Sequence, residues 1–354
     1  MYGLFYHWNN PGTKEVFMRK RILFFLLCVT LITAVIVVIH EHKEAAEPEI
    51  TTSSKNTKTH LSLPNSYGND QATHPKAVAF DKPWNGYRYW IAFTPYCFGN
   101  DETENPNILA SNDLTNWEEP TGYKNPLEPK PDQYEKFVCY NSDTHLVYND
   151  ALNQLECWWR YVDDANDLVI IYRKSSSDGV HWSDKEILQK STRSIDDYLS
   201  PSVIFEDGIY KIWTIGHGYK FRYWESPDGT DWQQQWEQPI RYSDSNLKSW
   251  HIDVIHTVQS GYEAVVVAFD SSIKSGSHQV MSLYYLNSKD NQEYSSAALL
   301  LNPTTGTTRW DNRGIYRSSL MFSDGKYYLF YSGIKTSEER YVGLISGDTI
   351  FNLR

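Results

Sequence analysis

A short element ending in an aromatic residue returns along this chain at regular intervals, and any fold must accommodate every copy. The clear copies are Ser111-Asn-Asp113-Leu-Thr-Asn-Trp117, Ser176-Ser-Asp178-Gly-Val-His-Trp182 and Ser226-Pro-Asp228-Gly-Thr-Asp-Trp232. A weaker copy follows at Ser288-Lys-Asp290-Asn-Gln-Glu-Tyr294, and Ser346-Gly-Asp348 is a worn fifth. In each, Ser and Asp side chains can bond the amides of a tight turn while Gly accepts a positive φ. The aromatic then buries itself against the hairpin that the turn closes. A second element, a short apolar strand preceded by small or polar residues, occurs five times: His74–Phe80, Ser142–Tyr148, Leu199–Phe205, Trp250–His256 and Tyr316–Phe322. After each comes a turn and an aromatic strand, such as Tyr87-Arg-Tyr-Trp-Ile-Ala-Phe93 or Lys326-Tyr-Tyr-Leu-Phe-Tyr331. Aromatic residues make up 15% of the chain, and such side chains pack well on a half-buried pleated surface.

The turn element resembles the Asp-box of sialidases and related propellers. Strand, turn, strand, loop, strand, Asp-box, strand is the order of one four-stranded propeller blade. Two independent markers alternate five times, at spacings of about 50 to 68 residues, near or above the usual range of propeller repeats. No helical period of comparable length competes outside one N-terminal apolar run. The sequence therefore predicts an all-β, five-bladed β-propeller over residues 69–354, with Asp-box-like turns. Its geometry puts the first strand of each blade around a central channel, with all five starting on one face. The loops between second and third strands open on that face, and the Asp-boxes on the other. Asp113, Asp178 and Asp228 are thus read as turn residues.

The exception to the β pattern is Ile22–Ile39, eighteen residues without a charge, close to the ~20 needed to cross a bilayer as a helix. Lys14, Arg19, Lys20 and Arg21 precede it, so the positive-inside rule leaves residues 1–21 in the cytoplasm and the rest outside. A cleaved signal peptide is the rival reading; the run is longer than a usual h-region, and His-Glu-His-Lys-Glu after it offers no small-residue cleavage site. Residues 22–39 are expected to form a transmembrane signal-anchor of a single-pass cell-membrane protein, and residues 40–68, poor in large apolar side chains, a flexible linker. Outside the span, Cys97, Cys139 and Cys157 are odd in number, which excludes a full disulfide framework; one bridge stays possible, its pair unspecified.

Polar residues at the strand starts and in the upper loops converge on one concave spot, where a ligand site belongs. They include His74, Asp143, His145, Trp250, His251, Asp253, Tyr316 and Arg317, joined by Glu104, Asn105 and Arg160 from the loops. The formal charge of −11 argues against nucleic acid as a partner. His74-Pro75, Asn85-Gly-Tyr-Arg-Tyr-Trp90, Glu104-Asn-Pro106, Asn141-Ser-Asp143, Leu199-Ser-Pro201, Trp250-His-Ile-Asp253 and Tyr316-Arg-Ser-Ser319 together carry a family resemblance. The chain resembles the furanosidase-type five-bladed propellers, glycoside hydrolase families 43, 32, 62 and 68, and most closely an uncharacterised bacterial branch of them. That resemblance implies a hydrolase using carboxylates from different blades. In family 43 an Asp base opens the first blade, another Asp the second, and a Glu acid the third. Here Asp143 matches the second position, but His74-Pro75 and Ser200-Pro201 stand at the others.

Glycoside hydrolysis needs two facing carboxyl groups. Asp143, Asp253 and Glu104 are the catalytic candidates, with His74, His145, Trp250, His251, Tyr316, Arg317, Asn105 and Arg160 as substrate-binding residues. Arg317, suited to bidentate contact with an anion, hints at an anionic sugar, while its pairing with Asp143 or Asp253 in a structural charge cluster is the alternative. The histidines come from separate blades without a spacing such as His-x-x-x-His, so no transition metal and no cofactor is expected, with a channel Ca²⁺ left open. The expected function is glycoside hydrolysis on an extracellular polysaccharide; a non-catalytic glycan-binding propeller and a structural or protein-binding one are the alternatives.

Overall fold

The computed structural model describes residues 55–354 except residue 275. The expected membrane span and most of the expected linker lie outside these residues; among the described ones, no helix is long and apolar enough to cross a membrane.

Five antiparallel sheets follow one another along the chain. The first holds β1 (Thr73–Trp84), β2 (Tyr87–Thr94) and β3 (Asn107–Ser111). The second holds β4 (Cys139–Asn149), β5 (Gln154–Asp163), β6 (Leu168–Ser176) and β7 (Glu186–Thr192). The third holds β8 (Leu199–Glu206), β9 (Ile209–Gly216), β10 (Lys220–Ser226) and β11 (Gln233–Gln238). The fourth holds β12 (Leu247–Thr257), β13 (Gly261–Asp270), β14 (Ser282–Ser288) and β15 (Ala298–Leu301). The fifth holds β16 (Gly314–Ser323), β17 (Lys326–Ile334) and β18 (Arg340–Gly347). Each innermost strand touches its two neighbours around a ring, β1–β4–β8–β12–β16 and back to β1. This is the five-bladed propeller that the repeats predict.

The core is divided among the seams between blades, because each sheet buries both faces against its neighbours. Trp90 packs with Leu146 and Cys157 at the first seam, Trp158 with Val203 and Ile212 at the next. Trp213 meets Ile252 and Val266, Leu283 meets Leu320 and Tyr331, and Phe330 meets Ile91 and Phe93 to close the circle.

The Asp-boxes form as read. Asp113, Asp178 and Asp228 each accept two amides through Oδ1 at 2.7–2.9 Å. The amides of Asn116 and Thr115, with the Asn116 side chain, hold the Asp113 carboxyl down to about 2. Burial of the aromatic anchors is uneven: Trp117 and Tyr294 are buried, whereas Trp182 and Trp232 are only half-buried.

The linker expected over residues 40–68 differs from Lys55 onward. Leu63 is fully buried beside Ile91 and Val342, His60 stacks on Tyr341 at 4.0 Å, and Leu61 and Ala72 donate amides to Val342 and Arg340 of β18. The C-terminal Arg354 exchanges two backbone hydrogen bonds with Ser346. The three-stranded fifth blade thus has its outer edge covered by both ends of the described chain. Scattered Leu61 and Leu63 in a polar segment hid this packing from a compositional reading. Cys97, Cys139 and Cys157 are all buried free thiols.

Candidate functional site

Every innermost strand is irregular at its start. The register to the second strand slips between Thr73 and Lys76, Ser142 and His145, Leu199 and Ser202, Ser249 and Ile252, and Tyr316 and Ser318. Such bulges bend a strand and re-aim its side chains. In the first three blades the bulge places His74, Asp143 and Ser200 at φ 51°, a left-handed conformation that non-glycine residues seldom adopt. Strain of this kind persists where the surroundings over-determine it, typically at functional sites.

The bulges sort the channel residues into two tiers. In the upper tier, His74 Nε2 lies 3.2 Å from Asp143 Oδ1 without the alignment of a hydrogen bond, and His251 Nδ1 lies 3.5 Å from the same oxygen. One ligand atom from each of His74, Asp143 and His251 falls within 4.8 Å of the others. All three residues are buried, and His74 Nε2, Asp143 Oδ1 and His251 Nε2 have no hydrogen-bond partner. Buried polar atoms rarely stay unpaired, so three within one side-chain cluster mark a place for something else.

The remaining atoms of the cluster are held from behind. His74 Nδ1 faces Thr94 Oγ1 at 2.9 Å and Glu104 Oε1 at 3.1 Å, and Ser142 Oγ donates to Glu104 at 3.0 Å. Ser200 Oγ bonds His251 Nδ1, and the Ser200 amide donates to Asp143 Oδ2. The contacts at His74 Nδ1 leave its Nε2 toward Asp143, as supporting partners of metal-binding histidines do, and His251 Nε2 is left without a partner. Two imidazoles and a carboxylate with their donor atoms unused fit a divalent transition metal. Absent ligand spacing in the sequence led to the opposite expectation, because the three ligands come from blades one, two and four and only the closed ring brings them together.

The electrostatics separate the two carboxyls. Burial works to raise Asp143, but its neighbours His74 and His251 and the Arg160 and Arg317 guanidiniums outweigh it and hold the group far below the usual carboxylate range. Burial dominates at Glu104 and raises it, against the pull of His74. Burial likewise keeps His251 neutral. Arg160 clasps Asp197 with Nε and Nη2, at 2.6–3.1 Å, and brings Nη1 to 4.0 Å from Asp143. Tyr316 leans over the cluster, its ring centroid 4.5 Å from His251 and 5.4 Å from His74, and Trp250 stands 5.9 Å from His251.

The lower tier has another character. Asp253, expected opposite Asp143 as a catalytic partner, is fully buried and spends both oxygens on Lys76 Nζ at 2.8 and 2.9 Å, Ser202 Oγ and the Leu320 amide. Arg317 donates to Thr144 O and Pro201 O and lies 3.1 Å from His145 Nδ1, while His145 Nε2 accepts the Val203 amide. Asp253, His145 and Arg317 are therefore a structural plug, and Arg317 offers no free fork to an anionic sugar. Lys76, missed as a sequence signal, stands out in retrospect as a cation at an apolar strand position. Asn105 is a brace as well, bonding Tyr67, Glu102 and Asn141. Below the plug the channel opens on the Asp-box face as an apolar cavity of about 460 Å³, lined among others by Val78, Tyr148, Phe205 and Phe322.

No family model matches the chain. It is 29% identical over 342 residues to an A type blood N-acetyl-α-D-galactosamine deacetylase of Flavonifractor plautii, a match covering 80% of this chain and 42% of that protein. The chain thus spans about two fifths of the length of this curated relative. Among solved structures, an N-acetylgalactosamine deacetylase from F. plautii in complex with blood group B trisaccharide superposes with a TM-score of 0.71 at 24% identity, over 82% of this chain and 94% of that one. An α-L-arabinanase of Cellvibrio cellulosa complexed with arabinohexaose gives 0.54 at 13% identity, covering 78% and 91% of the two chains. An exo-β-1,3-galactanase of Phanerochaete chrysosporium gives 0.56 at 10%, covering 82% and 64%. The fold is that of the glycan-acting five-bladed propellers, as the sequence resemblance implied.

Proposed function

We propose that this propeller is a glycan-acting hydrolase whose upper funnel removes an N-acyl group from an amino sugar, using a divalent metal held by His74, Asp143 and His251. The observation that carries the reading is the buried cluster of His74, Asp143 and His251, which brings one ligand atom from each of three blades within 4.8 Å of the others and leaves one polar atom on each residue without a partner. The similarity to a protein named as an N-acetylgalactosamine deacetylase supports it. Such a metal would supply Lewis-acid polarisation and a nucleophilic water at neutral pH. Asp143, kept ionised, and His251, kept neutral, are in the protonation states that ligation needs. Glu104, with its raised proton affinity and its hold on His74, is suited to carry a proton between the attacking water and the departing amine. Tyr316 is raised further by burial and stays a neutral hydroxyl.

The test incubates the purified protein with N-acetylgalactosamine- and N-acetylglucosamine-containing oligosaccharides and assays acetate and free amine. Acetate release that a chelator stops and added Zn²⁺ or Mn²⁺ restores, and that Asp143→Asn abolishes, supports the proposal. A new reducing end without acetate instead favours glycoside hydrolysis, a second reading that rests on the oppositely shifted Glu104 and Asp143. The outward-facing membrane anchor is a further part of the proposal, supported by the apolar Ile22–Ile39 and its basic flank. Protease added to intact cells should release the propeller; protection of the C-terminal part overturns that orientation.

A further inference from the structure

Fourteen non-glycine residues among those described have φ between 48° and 73°. Most have a local reason. Asn85, Asn153, Asp207 and Asp324 turn the hairpins joining first and second strands, Leu114 and Asn291 take the Asp-box position that is Gly179 and Gly229 elsewhere, Asp167 and Glu338 close tight upper loops, and His74, Asp143 and Ser200 belong to the candidate metal cluster. Three remain: Phe98 at 52°, Phe137 at 58° and Tyr219 at 62°. All are aromatic, all lie on the funnel face, and they are 60%, 54% and 38% exposed. A bulky ring in left-handed backbone and turned to water is disfavoured twice over.

Tyr219 ends an aromatic wall that runs through the candidate site, and Phe98 adjoins the other end of that wall along the chain. Tyr219 meets Phe269 at 5.4 Å, Phe269 meets Trp250 at 6.1 Å, and Trp250 meets His251. Beyond the cluster, Tyr316 meets Tyr96 at 6.5 Å, and the Arg340 guanidinium caps Tyr96 at 4.3 Å. Gly99, next to Phe98, is pressed so close to Arg340 that a Cβ there would lie 2.8 Å from its Nη1. The wall thus extends from blade three through blades four and five to blade one. The facing side, with Arg160, Asp197 and Arg193, is polar.

We infer that Phe98 and Tyr219 are stacking platforms for the sugar rings on either side of the residue held in the funnel, so that the protein takes an oligosaccharide rather than a free monosaccharide. The inference rests on the reading of the funnel as a glycan site. A pyranose presents a C–H face that an aromatic ring covers, while its hydroxyls stay hydrated or turn to the polar side; rigid aromatics supply such area at low entropic cost. Neutral sugars fit this wall better than anionic ones, since its rings present negative faces.

Phe98→Gly and Tyr219→Gly test it cleanly. Glycine favours these φ values, so both variants should melt at or above the wild-type temperature, and any lost binding belongs to the ring. Affinities of the purified protein, with Asp143→Asn added to stop turnover, are measured calorimetrically for N-acetylgalactosamine and for a trisaccharide containing it. The wild-type preference for the trisaccharide should fall about tenfold in each variant, the scale of removing one well-placed aromatic contact. Phe98→Tyr and Tyr219→Trp should keep it. An unchanged preference in both glycine variants, no wild-type preference for the longer sugar, or no affinity for either sugar overturns the inference. Length-dependent binding lost in the glycine variants, when the protein with Asp143 intact releases no acetate, upholds the platforms and sinks the deacetylase reading instead.

Discussion

At the scale of single residues, opposite forces act on two carboxyls that share His74. Asp143 is depressed, so its ionisation favours the folded state above the ordinary aspartate range, and that contribution is lost only as the pH falls below it. Glu104 is raised, so its ionisation opposes folding once the pH passes the ordinary glutamate value. Glu104→Gln keeps an oxygen for Ser142 and His74 but cannot ionise. It should therefore raise Tm relative to wild type at pH 7 more than at pH 4, while turnover drops by ~10²-fold or more. Thermal melts at the two pH values decide this, and an equal loss of Tm at both would make Glu104 a brace only. In the lower tier, Lys76→Met strands the Asp253 charge and should cost ~3–5 kcal/mol in urea unfolding at pH 7; adding Asp253→Leu should restore most of it. The strand pattern made Asp143 and Asp253 look alike, since each follows a polar strand start. What separates them is a lysine from another blade, a pairing that no local pattern displays.

At the scale of elements, the Asp-box hairpins repeat in backbone but not in burial. Trp117 is 5% exposed and donates its indole to Leu114 O, at the seam where Phe330 also packs. Trp182 and Trp232 sit half-open on later seams. Trp117→Ala should accordingly cost ~3–5 kcal/mol and Trp182→Ala about half as much, measured by denaturant titration. Equal losses would mean that the turn itself, rather than the anchor, sets stability. The hairpins were legible because each carries its own turn chemistry within seven residues, Ser111 to Trp117 for example. The bulges at the strand starts were not, since left-handed His74, Asp143 and Ser200 leave no mark of residue type.

At the scale of the whole molecule, the outer edge of β18 is covered by residues 61–72 toward its start and by Arg354 toward its end. An uncovered edge invites pairing with another chain. A chain beginning at Lys55 should therefore unfold in one transition and stay monomeric, whereas one beginning at Asn69, the boundary that composition suggests, should melt lower and self-associate; light scattering and calorimetry distinguish them. Blade number and order followed from two alternating markers, but the closing segment did not, because it belongs to no repeat. The five strand-start bulges have a consequence for change as well. They amount to five interchangeable sockets in a frame whose strength lies elsewhere, in the seams. Exchanging a socket's occupant, a serine for a histidine or an aspartate, therefore alters the chemistry of the funnel and the charge balance there while leaving the seam packing in place, and one ring of this kind can host successive chemistries without being rebuilt.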